Sequence, residues 1–261
     1  MVLAYSSNLP GTAKEIARRP RYEKIVIAQQ HGAVGVIFIG AARDNIVAVG
    51  SGTSMGETVA PLSAVVIGRE DGMALKARLA QTPLSVRLSM TNTFFQATPR
   101  NVIATLEGAD LADEHIVFGG HLDRWDLATG ALDNGVVAVT VLEVARALKA
   151  AGYRPRRTIH FVLYMGEEQV MHGSQAHAAD LARQGMLVNV KYMFNTDMSI
   201  DPVAFNIWGF AANKAFYDDL AAKIRSYLPN FEGSVVSRPM PGGDSDPYQR
   251  RGPVLDRKSV V

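Results

Sequence analysis

The run Thr158–Met165 reads as an apolar strand, and it ends directly on Gly166-Glu167-Glu168. A strand without polar alternation is buried on both faces, so it belongs inside a sheet that helices cover on both sides. The rest of the chain fits that requirement. Strands are expected at Asn101–Glu107, His115–Gly119, Val190–Asn195 and Val203–Trp208, and helices at Gly135–Ala151, Gly173–Arg183 and Asn213–Tyr227. Gly152 and Pro155 supply the stop after the first of these helices. Its many valines (Val136, Val137, Val139, Val141, Val144) predict burial against the sheet. The polar stretch Gly108–Glu114 reads as the turn of a hairpin. Strands alternating with helices of this length give an α/β fold with a mixed, mainly parallel sheet flanked by helices.

Thr98-Pro99-Arg100 marks a boundary, because proline punctuates and the pattern changes after it. Residues 1–97 form a smaller α/β unit. It has strands at Val2–Tyr5, Val34–Ile39, Ser63–Ile67 and Leu84–Met90, and helices at Thr12–Arg18, Tyr22–Gly32 and Glu70–Gln81. Gly50–Gly56 is a loop. A length of 261 residues suits one large domain or two modest ones, and 48% hydrophobic against 20% charged residues suffices for a real core. A net charge of +2 gives no reason to expect nucleic acid or an anionic membrane, and Arg154, Arg156 and Arg157 read as a solvated turn. No run of about 18 apolar residues suggests a membrane span.

The chain has no cysteine, so a metal can be held only by His, Asp and Glu. Four segments that bear such residues fall at strand ends: His121-Leu122-Asp123, Asp133-Asn134, Glu167-Glu168 and Asn195-Thr196-Asp197. The C-terminal edge of an open α/β sheet is where ligands bind. His121 and Asp123 point to one side of an extended segment, so Asp123 can accept the second ring N–H of a metal-bound imidazole. Asp133 stands where it can cap the following helix, bridge two metals, or do both. Adjacent carboxylates repel, and Glu167 and Glu168 at the mouth of a buried strand call for a cation. Each segment alone has an ordinary structural reading; together they supply the hard O and N donors of a hydrolytic two-metal site.

The segments Gly119–Asp126, Thr129–Gly135, Gly166–Gln169 and Asn195–Met198 closely resemble the M28 metallopeptidases in order and spacing. The His-Leu-Asp-x-Trp-Asp form resembles the carboxypeptidase Q branch and related bacterial aminopeptidases. Residues 1–97 are similar to the protease-associated domain of that branch, through Lys24–Ala28, Gly32–Ile37 and Pro61–Gly68. The resemblance implies a zinc exopeptidase fold over residues 98–255 and two zinc ions per complete site. One ion would be held by His121, Asp133 and Asp197. The second would be held by Asp133, Glu168 and a histidine near the C-terminus. Glu167 is implied as the general base, and Asp123 as the catalytic partner of His121. A cis peptide bond is implied at Asp133–Asn134. The substrate would be a peptide or dipeptide cut at a terminal bond, with a homodimer left open and a secreted or periplasmic parent expected.

The pattern departs from the family at the C-terminal end. Gly242–Pro247 resembles a segment that usually reads Ser-Asp-His, and Pro247 stands in place of the His. The family's next strand begins at Gly252-Pro253-Val254-Leu255 and stops, so Asp256–Val261 is expected to be an artefactual tail and the chain to be incomplete at both ends. Loss of that strand predicts an exposed sheet edge and an impaired enzyme. The rival readings are a non-catalytic scaffold of the same fold and a single-metal cyclotransferase relative. The remaining histidines (His31, His115, His160, His172, His177) and Trp125 and Trp208 are expected in structural or wall positions.

Overall fold

The structure, a computed structural model, describes residues 1–5, 19–47, 59–93, 95, 97–198, 202–208, 211–237, 243–251 and 258–260. The helix expected at 12–18, the loop at 50–56, the segment 252–255 and the Trp208 side chain lie outside the described residues. Two compact units divide at Ala97 and Thr98.

In the first unit, β1 (Val2–Tyr5), β2 (Val36–Ile39) and β3 (Ala64–Ile67) form a parallel sheet in that order. Every residue of the central β2 is buried. Its alternate side chains split between two helices. Val36 and Phe38 pack on Ile25 and Ala28 of α1 (Arg21–Gln30). Ile39 packs where Gly72 of α2 (Arg69–Leu79) leaves room, since a Cβ there would lie 2.6 Å from Ile39 Cγ2. Leu84–Met90 is not a strand. Val86 and Met90 point to solvent at 45% and 39% exposure, so the apolar pattern there has no sheet face to bury.

The second unit is built on β4 (Val102–Leu106), β5 (Leu111–His121), β6 (Arg157–Tyr164), β7 (Val190–Asn195), β8 (Ala204–Trp208), β9 (Gly233–Ser237) and β10 (Lys258–Val260). The sheet order is β4-β6-β5-β7-β10-β8-β9, mixed and mainly parallel. The expected β4–β5 hairpin does not form: β6 lies between them, antiparallel to β4 and parallel to β5. The physical reason is burial. The inner part of β5 is covered on both faces and needs a strand on each side, whereas β4 exposes Val102 and Ile103 by about half and tolerates the edge. The polar turn instead carries the chain across the start of β6, with Ala109 N–H donating to the Pro155 carbonyl at 2.9 Å and Leu111 N–H to that of Arg156 at 2.8 Å. There Arg156 and Arg157 pair with Asp110 and Glu114 at 2.9 and 2.6 Å.

Helices cover both faces of β5 and β6. On one face α3 (Val136–Ala150) buries Val137, Ala138 and Val141 against Phe161 and Leu163. Helical periodicity turns Val139 outward to 65% exposure, so that valine is not buried as expected. On the other face α4 (His172–Arg183) and α6 (Asp246–Arg251) bring Ala178, Leu181 and Tyr248 onto Val117, Val162 and Tyr164. A third cluster joins α5 (Lys214–Ile224) to β8 through Phe205, Ile207, Tyr217 and Ala221. Lys258–Val260 pairs with β7 on one side and β8 on the other, so the outer edge of β7 is paired where an open edge was expected. The unpaired N–H and C=O groups of a strand edge accept any extended segment within reach.

Gly120 sets how closely α3 and the end of β7 approach β5, because a Cβ on it would lie 2.5 Å from Val137 Cγ1 and 2.7 Å from the Thr196 carbonyl oxygen. Gly120→Ala should therefore destabilise the protein by about 1–3 kcal/mol. Gly185→Asn, at φ 71° with nothing within 4 Å, should cost under about 1 kcal/mol. Urea midpoints of the two variants check both values; equal midpoints would contradict the close approach.

Candidate functional site

Parallel pairing sets His121 of β5 opposite Tyr164 of β6, and Gly119 opposite Asn195 of β7. The loops that follow these three strands therefore leave the sheet side by side at its C-terminal edge. Leu122 N–H donates to the Tyr164 carbonyl at 2.7 Å and Thr196 N–H to that of Gly119 at 3.1 Å, which extends the register into the loops.

The His121 ring is 1% exposed. Its Nδ1 lies 3.0 Å from the Asp123 carbonyl oxygen and 3.6 Å from the Asp123 carboxylate, so the ring N–H donates to the backbone. The Asp123 carboxylate stands beside the same N–H and favours the charged ring. It also accepts the N–H groups of Glu167 and Glu168 at 3.1 and 3.2 Å. Asp123 thus fixes the turn that carries the two glutamates, and Gly166 at φ 79° lets the chain enter it.

The other ring nitrogen, Nε2, faces the acids: Asp133 Oδ1 at 3.1 Å, Asp197 Oδ1 at 3.5 Å and Glu167 Oε2 at 4.0 Å. Ligand atoms of His121, Asp133 and Asp197 all lie within 4.8 Å of one another. Asp133 sits in a kinked turn, Ala131–Gly135, ahead of α3, where its φ of -112° and ψ of 91° are not helical, and the Asp133–Asn134 peptide bond is cis, as the resemblance implied. Asn134 ties this turn to the end of β7. Its Nδ2 donates to the Thr196 carbonyl at 3.2 Å, and its Oδ1 accepts the Met198 N–H at 3.2 Å. Asn134 was not singled out from the sequence, where only its place beside Asp133 could have marked it.

Glu168 is in the same loop but outside that triad. Its Oε1 is buried and accepts no hydrogen bond among the described residues. Beside it, Trp125, Ala128, Thr129 and Leu132 line a pocket of about 210 Å³ that Asp133 and Glu168 close. A larger cavity of about 410 Å³ lies in the first unit among Ile25, Phe38, Leu62 and Met90, away from this chemistry.

Asp244, fully buried, joins the cluster from the C-terminal segment and was also not marked as a site residue. Both carboxylate oxygens lack a well-formed hydrogen bond among the described residues, and the Ser174 hydroxyl only partly favours the charge. Its segment, Gly242–Pro247, carries the signal of two acids in an otherwise small and apolar run, and Pro247 is buried with it.

The electrostatics follow from this crowding. Burial alone would lower the His121 pKa, but Asp123, Asp197 and Glu167 outweigh it and push it up to about 11. Burial, then Asp244, raises Glu167 to about 8. Burial, then Asp133, raises Glu168 to about 7, and burial with Asp197 raises Asp133. Asp123 goes the other way: burial opposes its charge, but His121 and the two glutamate amides lower its pKa. Carboxylates that hold protons near neutral pH, around one buried imidazole and with orphaned oxygens on Glu168 and Asp244, are the donor set that a divalent cation relieves by replacing those protons. Hard oxygen and imidazole ligands without sulfur fit such an ion.

Known proteins share this framework. Carboxypeptidase Q of Mus musculus is 27% identical over 188 residues, covering 69% of this chain and 40% of that protein. The human carboxypeptidase Q is 32% identical over 92 residues. The chain thus spans about two fifths of the mouse protein. Among solved structures, a peptidase M28 precursor from Shewanella amazonensis superposes over 91% of this chain and 53% of its own, with a TM-score of 0.67 at 24% identity. BSAP, a zinc aminopeptidase from Bacillus subtilis, superposes over 92% of this chain and 56% of its own, with a TM-score of 0.66 at 19% identity. Residues 101–251 match the sequence profile of Peptidase family M28, which takes in more than half of the chain and every acid of the cluster; the chain belongs to that family.

Proposed function

We propose that this chain carries the catalytic core of a zinc-dependent exopeptidase that hydrolyses a terminal peptide bond. The observation that carries the reading is the meeting of His121, Asp133 and Asp197 within 4.8 Å, with Glu167 Oε2 4.0 Å from the same imidazole nitrogen. His121, Asp133 and Asp197 would hold one zinc ion, and Asp133 and Glu168 would contribute to a second. Zinc supplies Lewis acidity that acidifies a water and polarises the scissile carbonyl.

Glu167 is the group placed to take the proton from the attacking water and return it to the leaving amine. It is partly buried, and Asp123 anchors its backbone amide, which fixes where the side chain enters the site. The Trp125 and Leu132 pocket beside Asp133 and Glu168 is where the side chain of a terminal residue would lie. Residues 1–97 would act as a protease-associated-like domain. No histidine follows His177 in this sequence, so the second zinc has only two of its three expected protein ligands here. With that ligand set the 261 residues should bind the first ion more tightly than the second and turn over substrate poorly.

Glu167→Gln in a full-length version should retain zinc by elemental analysis and lose at least about 100-fold in kcat. Near-normal turnover would remove Glu167 from the mechanism.

The metal-free chain has a separate signature. Glu167, at about 8, and His121, at about 11, both hold protons in the fold that the unfolded chain has released above pH 7. Unfolding therefore binds fewer protons in the unfolded state, and stability falls as pH rises from 7 to 9. With chelator present, the urea midpoint should drop over that window, and saturating zinc should abolish the drop and raise the midpoint at pH 9. A midpoint insensitive to both pH and zinc would exclude the cluster as a cation site.

A further inference from the structure

On the face of the sheet that α4 and α6 cover, three polar groups lie inside the apolar cluster. Tyr164, at the end of β6, and Tyr248, in α6, are both fully buried, and His177 of α4 is 5% exposed. The Tyr164 and Tyr248 hydroxyls are 2.6 Å apart, and His177 Nδ1 is 2.5 Å from the Tyr248 hydroxyl. We infer that His177, Tyr248 and Tyr164 form a positioning lock that holds the segment 243–248, and with it Asp244, against the site, and that protonation of His177 opens it.

The argument is a count of protons. With His177 neutral and Nδ1 bare, Tyr248 donates to His177 and accepts from Tyr164, so two hydrogen bonds use two protons and nothing is left over. With His177 charged, Nδ1 donates to Tyr248, the single contact between the two hydroxyls uses only one of their protons, and the other is left over. A buried hydroxyl without a partner, next to a buried imidazolium, disfavours the closed arrangement.

The groups facing His177 do not rescue the charge. From β6 come His160, with ring centroids 6.4 Å apart, and Tyr164 at 6.1 Å; from α6 comes Tyr248 at 5.9 Å. His115 of β5 stands behind, its Nδ1 3.0 Å from His160 Nε2. Asp180, on the same helix, is the acid that favours the charge, while Asp244 bears on the two tyrosines. Burial, then His160, lowers the His177 pKa to about 4, and burial lowers those of His160 and His115.

The lock reaches the chemistry through sequence. Asp244, Ser245 and Asp246 are all buried just ahead of Tyr248, and Asp244 is the largest charged influence on Glu167. Opening the lock withdraws that influence. This consequence rests on the proposed role of Glu167; the lock itself does not, and can be tested without metal or substrate.

A group at about 4 when closed and about 6.5 when released makes opening roughly 30-fold more favourable at pH 5.0 than at pH 7.5. Hydrogen exchange of residues 243–251, corrected for the intrinsic pH dependence, reads this directly on the 261-residue chain. The wild type should lose roughly 30-fold in protection between pH 7.5 and 5.0. His177→Asn offers a carbonyl near the place of Nδ1 and cannot be protonated, so it should lose less than about 3-fold. Tyr248→Phe removes both hydrogen bonds and should be weakly protected at both pH values. Unchanged protection in the wild type would overturn the lock. An equal loss in His177→Asn would overturn it too, by assigning the effect to His160 and His115. Should His177→Asn fail to fold, the Tyr248→Phe result decides: a pH dependence as large as that of the wild type overturns the proposal, and its absence supports it.

Discussion

The crowding of carboxylates around one buried imidazole is the constraint to which the second unit is fitted. Asp123, Asp133, Glu167, Glu168, Asp197 and Asp244 all come to the C-terminal edge of the sheet around His121. Burial first, and then repulsion between neighbouring acids, raises the pKa values of Asp133, Glu167, Glu168 and Asp244. What holds them is backbone. The Asp123 carboxylate captures two consecutive amides, Asn134 clamps the kinked turn before α3 to the loop after β7, and the His121 ring is pinned through its own loop. Neutral donors fix where the charges sit and leave their charge for a cation.

The apolar layers supply the rigidity behind this edge. Val117 and Val162 face one way and Phe118 and Phe161 the other, so β5 and β6 are gripped on both sides and cannot slip without turning their side chains to the wrong face. The cost of that burial appears in the polar groups that the same layers enclose. His115, His160, His177, Tyr164 and Tyr248 have almost no solvent, so they must satisfy one another.

Much of this was legible from residue order. Strands placed by apolar runs came out within a few residues, Val190–Asn195 to the residue, because a buried strand leaves a pattern that few alternatives share. The site residues were legible because hard ligands at successive strand ends point to one edge. Pairing order was not: a polar stretch between two strands looks the same whether it turns a hairpin or crosses a third strand, and only the burial of β5 decides. Leu84–Met90 has a strand's composition and no neighbour to pair with. Spacing put Asp123 beside His121, but it says nothing about the amides of Glu167 and Glu168 that the same carboxylate accepts. Asp244 and Tyr248 act through contacts with residues far up the chain, which no local pattern encodes.

The parallel order of β5, β6 and β7 bears on how the molecule is assembled. Each ligand-bearing loop is separated from the next by a whole helical crossover, and His121 is 76 residues from Asp197 along the chain. No short hairpin can bring any two of these loops together; His121 and Asp133 share the first of them, but loop-closure entropy must be met before Asp197 joins that pair. The triad is therefore a late event in folding. An ion in solution meets scattered acids on the nascent chain and finds a chelate only once α3 and α4 have docked. Metal can select the finished sheet but cannot template it, and a chain halted midway has nothing to hold the ion with.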